Sequence, residues 1–239
     1  MTSSNLPFKS NQKNEHAAKR LVITIDGPGG AGKTTVSRIL AERLGYQYVD
    51  TGALYRGVAV AARSAGLNRD DEAGLGALCD NLDLRFIHNE KGLRLFSNCS
   101  DITDPIRDPE ITMLASTISA KPVVRKFLLA LQRDMAKTKG VVFEGRDMGT
   151  VVFPEAEVKF FLNASKKVRA LRRHRELERK KTGQTIEEVE RDLQRRDEND
   201  SNRPLAPLKP AEDAIHIDST HLSVMGVVDL MLSHVDKII

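Results

Sequence analysis

Five short apolar runs recur along the chain, with helical spacing between them. "LVITID" (21–26) is continuously apolar and ends in an acid, which reads as a strand covered on both faces. Residues 33–44 follow, with Val36, Ile39, Leu40 and Leu44 at helical spacing. "YQYVD" (46–50) predicts a second strand, and "ALYRGVAVAARSAG" (53–66) a helix closed by Gly66. "VVFEG" (141–145), "VKFFLN" (158–163) and "AIHIDS" (214–219) predict three more strands, the last followed by a helix over 223–238. Strands alternating with helices predict an α/β fold with a five-stranded parallel, doubly wound sheet flanked by helices.

Two regions break this rhythm. In residues 67–110, "LDLRFI" and "GLRLFS" alternate apolar and polar around "HNEKG", the pattern of a two-sided hairpin and hence of a small β insertion. Pro109 then opens a helix near 110–119, and Pro122 opens another to about 138. Residues 166–200 are charged and mostly helical, with a break near "KTGQT". A third irregularity is local: in "VVFEGRDMGTVVF" (141–153) two strand-like runs enclose Glu144, Arg146 and Asp147. Burying ionised groups without partners costs several kcal/mol or more, so these charges need something to face.

Composition narrows the class of protein. The chain has 239 residues, 40% hydrophobic and 29% charged, enough for one domain with a large core and insertions. Its apolar runs fall short of a membrane span. The first twenty residues are polar and read as a disordered N-terminal extension without a secretory core. Cys79 and Cys99 show neither CxxC nor metal spacing and read as reduced thiols. The formal charge of +4 is uneven: residues 166–196 carry +6 and the rest −2. That concentration points to a local anionic ligand rather than to the broad basic face of a nucleic-acid binder, and the chain has no RNP-like aromatic pattern and no Trp for stacking on RNA.

The ligand is indicated by "GPGGAGKTT", Gly27, Pro28, Gly29, Gly30, Ala31, Gly32, Lys33, Thr34 and Thr35. Gly27, four residues, then Gly32-Lys33-Thr34 is the P-loop pattern, set between a predicted strand and a predicted helix. Its glycines let successive backbone N–H groups turn to phosphate oxygens, helped by the helix N-terminus. Lys33 reaches the β- and γ-phosphates, and Thr34 is placed for Mg²⁺. The chain is therefore expected to bind ATP with Mg²⁺. The loop leaves the acceptor open, and an NKxD guanine-reading motif is absent.

In open α/β sheets ligands sit beyond the carboxyl ends of strands. "DTGALYR" (50–56) supplies Asp50, Thr51 and Arg56 at one such end, and the charged stretch supplies Arg146 and Asp147 at another. Arg56 and Arg146 could clamp a phosphate. With these motifs, together with "IDGPGGAGKTT", "EGRDMGTVVFPEAEVKFFLNAS" and "RRDENDSNRPLAPLKPAEDAIHIDST", residues 21–230 resemble the bacterial cytidylate kinases. "GRDMGTVVFP" is the specific part of the likeness; the P-loop is shared far more widely. Thr51 stands where the family often has Ser, and residues 1–20 have no counterpart.

The resemblance implies a P-loop NTPase core with a helical lid and a nucleoside-monophosphate-binding insertion. Residues 21–66, 111–165 and 205–239 would form the core, 67–110 the insertion and 166–204 the lid. Ser116, Arg125 and Asp147 would meet cytosine, with Thr51 nearby. Arg56 and Arg146 would hold the acceptor phosphate, Asp200 and Arg203 the sugar, with Arg196 close. Arg169, Arg172 and Arg173 would lie over the ATP phosphates and act with Lys33 in catalysis. Asp50 or Glu144 would orient metal-bound water. On the residues alone, Ser116 reads as packing, Arg125 as solvated, the arginine triplet as a charged helix face, and Arg146–Asp147 as a possible ion pair. The implied reaction is phosphorylation of CMP and dCMP by a cytoplasmic monomer whose partners are small molecules, neither nucleic acid nor membrane. A kinase of a different nucleoside monophosphate is the competing reading.

Overall fold

The structure, a computed structural model, describes residues 19–90, 92–179 and 183–239. Apart from Lys19 and Arg20, the expected N-terminal extension lies outside the described residues. The chain runs β1 (Val22–Asp26), α1 (Lys33–Leu44), β2 (Gln47–Asp50), α2 (Thr51–Ser64) and α3 (Glu72–Asp80). It continues through β3 (Leu84–Asn89), β4 (Gly92–Ser97), β5 (Ser100–Asp101), α4 (Pro109–Ile118) and α5 (Pro122–Met135). It closes with β6 (Val141–Gly145), β7 (Val158–Asn163), α6 (Lys166–Arg179), α7 (Ile186–Asn202), β8 (Ile215–Asp218) and α8 (Val224–Val235). No described helix is long and apolar enough to cross a membrane.

The expected five-stranded sheet is present, in the order β2-β6-β1-β7-β8, with every pairing parallel. Side chains alternate between its faces. Leu21, Ile23 and Ile25, with Val142, Phe160 and Ile217, pack against α1 and α8. Val22, Val49, Val141 and Phe143 pack on the other face against Met148, Val152 and Phe153. A separate apolar cluster joins α2, α3, α4 and α5 to Leu84 of β3 and Leu95 of β4. The β insertion is a three-stranded antiparallel sheet, β3-β4-β5. Helix α4 packs on that core, while α5 reaches both it and, through Leu129 and Met135, the large sheet.

Three local features depart from the sequence pattern. Helix α2 starts at Thr51, two residues before the apolar spacing does, because the Asp50 carboxylate accepts from Ala53 N–H and caps it. Helix α3 was not anticipated. Its two glycines disfavour helix, but Asp71 caps it and Leu75 and Cys79 bury one face. The apolar run at 151–153 is not a strand; Met148–Val152 form a π-helical turn whose backbone bonds close on Asp147 and Met148 carbonyls.

Candidate active site

The carboxyl ends of β1, β2 and β6 open onto a cleft of about 590 Å³, roofed by the β insertion and flanked by α6 and α7. Strand parity decides what enters it. On β6, Val142 faces α1, so Glu144 does too; Phe143 faces the opposite layer. On β1, Asp26 shares the face of Val22 and Thr24, away from α1.

The loop between β1 and α1 takes the shape its glycines allow. Gly27 has φ +146°, and a Cβ there would stand 2.0 Å from Leu162 O, so neither the torsion nor the space admits a side chain. Helix α1 begins without a side-chain cap, leaving its first N–H groups available at the cleft. Lys33 donates to the carbonyls of Gly27 and Pro28, both at 2.8 Å. Burial, then the charge of Arg146, pulls its ammonium pKa down, against the pull of Glu144 and Asp26.

Thr34 Oγ1 and the Tyr48 hydroxyl both donate to Glu144 Oε1, at 2.8 and 2.7 Å. Thr51 Oγ1 donates to the Glu144 carbonyl at 2.7 Å. Glu144 Oε2 is buried with no hydrogen-bond partner among the described residues. Burial and the neighbouring Asp50 charge raise the Glu144 pKa. An unpartnered carboxylate oxygen beside a P-loop hydroxyl is a fitting oxygen pair for a magnesium ion. Asp50 fits less well: its Oδ1 accepts from Ala53 N–H and its Oδ2 from Arg56, each at 2.9 Å.

On the acceptor side, neighbours in sequence separate. Arg146 turns to Asp200, donating from Nε at 2.8 Å. Asp147, almost fully buried, accepts from Arg125 through Oδ2 and from Arg203 through Oδ1, the latter at 3.2 Å. Asp200 and Arg203 therefore lie in adjoining clusters rather than forming a pair. Ser119 ties the group together: its hydroxyl accepts from Arg203 at 3.1 Å and donates to Ser116 O at 2.8 Å, while its carbonyl accepts from Arg125 at 3.2 Å. The hydroxyl of Ser116 is buried without a partner among the described residues in this wall of the cleft.

Between the two sides stand Arg56, Arg146 and Arg196, all lining the cleft. Arg196 Nε is buried without a partner among the described residues. Burial, with Arg146 nearby, lowers the Arg196 guanidinium pKa to about 10, a positive charge in a place suited to an anion.

The arginine triplet of α6 divides. Arg173 lines the cleft and pairs with Glu176 at 3.0 Å. Arg169 is buried and donates to the carbonyls of Gly29 (3.0 Å) and Ala164 (3.1 Å) and to Asp197 (2.5 Å). Arg172 donates to Ala31 O at 3.2 Å and to the hydroxyl and carbonyl of Ser219 at 2.9 and 2.7 Å. Two of the three thus brace the outside of the phosphate loop.

Sequence reasoning passed over Tyr48, Ser119, Asp197 and Asp26. Tyr48 could have been found, since it lies two residues before Asp50 on the same strand face. Asp26 also carried a signal, as an acid closing an otherwise apolar strand. Ser119 and Asp197 carried none, being ordinary polar residues on helix surfaces or ends.

A family model described as cytidylate kinase matches residues 23–237. A cytidylate kinase of Geobacter sulfurreducens is 51% identical over 213 residues, covering 89% of this chain and 91% of the relative. One from Pasteurella multocida is 42% identical, covering 92% and 97%. Among solved structures, an uncharacterized protein from Eubacterium ventriosum aligns with TM-score 0.50 at 13% identity over 92% of this chain and 99% of that one, a likeness of fold alone.

Proposed function

The chain belongs to the cytidylate kinase family, and on that premise we propose that it transfers the γ-phosphoryl group of ATP to CMP, and to dCMP, with Mg²⁺. The observation that carries this reading is one cleft lined by Lys33 and Glu144 at one end, by Asp147, bonded to Arg125, and Arg203 at the other, and by three arginines between.

The acceptor is a phosphate monoester. Its second pKa is about 6, so at neutral pH its oxygen is already ionised and no side chain need remove a proton. That oxygen forms the new P–O bond while the bond to the bridging oxygen breaks and its electron pair leaves with ADP. Lys33 exchanges its two loop carbonyls for β- and γ-phosphate oxygens. Arg56, Arg146 and Arg196 hold the acceptor phosphate, and Arg173 offsets charge on the transferring group. Arg169 and Arg172 keep the phosphate loop in shape. Thr34 and Glu144 would hold the magnesium ion, which neutralises phosphate charge when bound.

Cytosine presents an exocyclic amino donor beside ring-nitrogen and carbonyl acceptors. Asp147 accepts from the amino group, and Arg125 and the Ser116 hydroxyl donate to the acceptors. Uracil reverses two of these roles and leaves buried groups unpaired, which discriminates strongly. Asp200 and Arg203 reach toward the sugar. Residues 67–110 with α4 and α5 close over the acceptor, and 166–204 over ATP, excluding water. The same reading takes the protein as a cytoplasmic monomer acting on small molecules.

A panel of nucleoside monophosphates with ATP in a coupled ADP-release assay tests the reading. CMP and dCMP should be the best acceptors. Equal use of UMP or AMP would sink the base assignment, and ADP release independent of any acceptor would sink the kinase reading.

A further inference from the structure

We propose that Asp26 is a positioning residue for base recognition: from β1 it caps the π turn that follows β6, freeing Asp147 to face Arg125, Arg203 and the base. The inference rests on the reading that Asp147 helps recognise cytosine.

The turn Met148–Val152 needs acceptors for its leading N–H groups, like any helical segment. Asp147 occupies its cap position, with φ −144° and ψ 24°. An aspartate there would ordinarily fold its carboxylate back onto the N–H groups that follow. It makes no such bond. Met148 N–H instead donates to Asp26 Oδ1 at 2.9 Å and Gly149 N–H to Asp26 Oδ2 at 2.8 Å. Both oxygens of a carboxylate 121 residues upstream of Asp147 thus do the capping that the local residue leaves undone.

Asp26 is held in place for this. It ends the central strand, aligned with Gly145 of β6 on one side and Phe161 of β7 on the other. Parity turns it away from α1 toward the turn. The turn is buried, Met148 at 1% exposure, so water cannot replace a lost acceptor there. Without Asp26, those N–H groups would draw on the carboxylate of Asp147, the residue before them in the chain, and pull it from Arg125 and Arg203.

The test is a set of variants assayed with CMP and UMP, with KM for ATP and melting temperature. Asp26→Asn keeps the shape but has one acceptor oxygen, and turns an NH2 toward the second backbone donor. Gly149→Ala leaves Asp26 intact but places a methyl 3.1 Å from Thr24 Oγ1 and 3.2 Å from Lys159, so that the turn or these side chains must give by a few tenths of an ångström. Expected for Asp26→Asn is a rise in CMP KM and a fall in CMP-over-UMP preference of about tenfold each, with ATP KM within about twofold. Gly149→Ala should move the preference in the same direction by less.

An unchanged CMP-over-UMP preference in folded Asp26→Asn overturns the proposal. So does an ATP KM that rises in step, which would mean that Asp26 acts through Lys33. If Asp26→Asn does not fold, Gly149→Ala decides, and an unchanged preference again overturns it. Asp147→Ala separates the two readings. If it keeps the wild-type preference, base recognition by Asp147 fails and takes this inference with it. If it loses the preference while both other variants keep theirs, only the capping role of Asp26 fails.

Discussion

On the acceptor side of the cleft, Asp147 accepts from both Arg125 and Arg203, and Ser119 bonds both arginines in turn. On the donor side, Lys33 donates back into its own loop and Glu144 keeps one buried oxygen without a partner. Apart from the Ser116 hydroxyl, the charges of the first region are satisfied by the protein itself; the second holds groups suited to partners that arrive with the ligand. A buried charge with its partners removed is costly, whereas a group already lacking partners has less stability to lose. Damage to the acceptor side should therefore appear in stability as well as activity, and damage to the donor side mainly in turnover.

The largest effect should come from the donor side. Lys33→Ala is expected to lower kcat by about 10³ while the melting temperature stays within a few degrees, because one electrostatic donor to the transferring group is lost and no buried ion pair is broken. Coupled ADP release and a thermal melt check both halves; a large loss of stability would erase the contrast. Arg125→Ala, on the acceptor side, strands Asp147 with one partner. Urea unfolding should show a loss of about 3 kcal/mol, and CMP KM should rise with ATP KM little changed. Wild-type stability with weakened CMP binding would show that the cluster is assembled by the ligand rather than before it.

Asp26 sharpens the contrast through pH. Burial raises its pKa from 3.8 to about 6, against the two backbone N–H donors and Lys33, with the Asp147 charge adding to the rise. A carboxyl with a raised folded pKa retains a proton that the unfolded chain has released. Its stabilisation is present below pH 3.8 and is lost as pH rises through about 6. The stability of the wild type minus that of Asp26→Asn should accordingly fall by about 2–3 kcal/mol between pH 4 and pH 7 in urea titrations. A flat difference would contradict the shift. The smallest effects separate the braces from the cleft-lining arginine. Arg173→Ala should lower kcat by about tenfold with stability unchanged. Arg172→Ala should cost about 1–2 kcal/mol of stability with kcat within about threefold, as expected for a group bonded to the loop backbone and Ser219. Reversed outcomes would move Arg172 into the cleft and Arg173 out of it.

The order of strands and helices was legible because hydrophobic spacing and glycine punctuation are local properties. Helix α3 was not, since its glycines argue against helix and only Leu75 and Cys79, buried on the insertion core, outweigh them. The run at 151–153 misled for the opposite reason: valines and a phenylalanine favour a strand, but here the backbone closes on Asp147 and Met148. In the site, Glu144 was legible as a metal candidate from its place at a strand end, but its bond from Thr34 was not. Spacing on α6 grouped Arg169, Arg172 and Arg173 on one face, and could not say that two of them meet backbone carbonyls of the loop.

The sequence by itself determined the strand–loop–helix with Lys33 and Thr34, the five strands of the large sheet and the hairpin, because each depends on torsional preference and periodicity within a few residues. Tertiary structure alone decided how the charges pair. Arg146 and Asp147 are adjacent in the chain, yet one bonds Asp200 and the other Arg125 and Arg203. Asp26, far away in sequence, caps the turn that Asp147 begins. Hydrogen bonding in a buried site is settled by direction and desolvation, and both are set by residues that only the folded chain brings together.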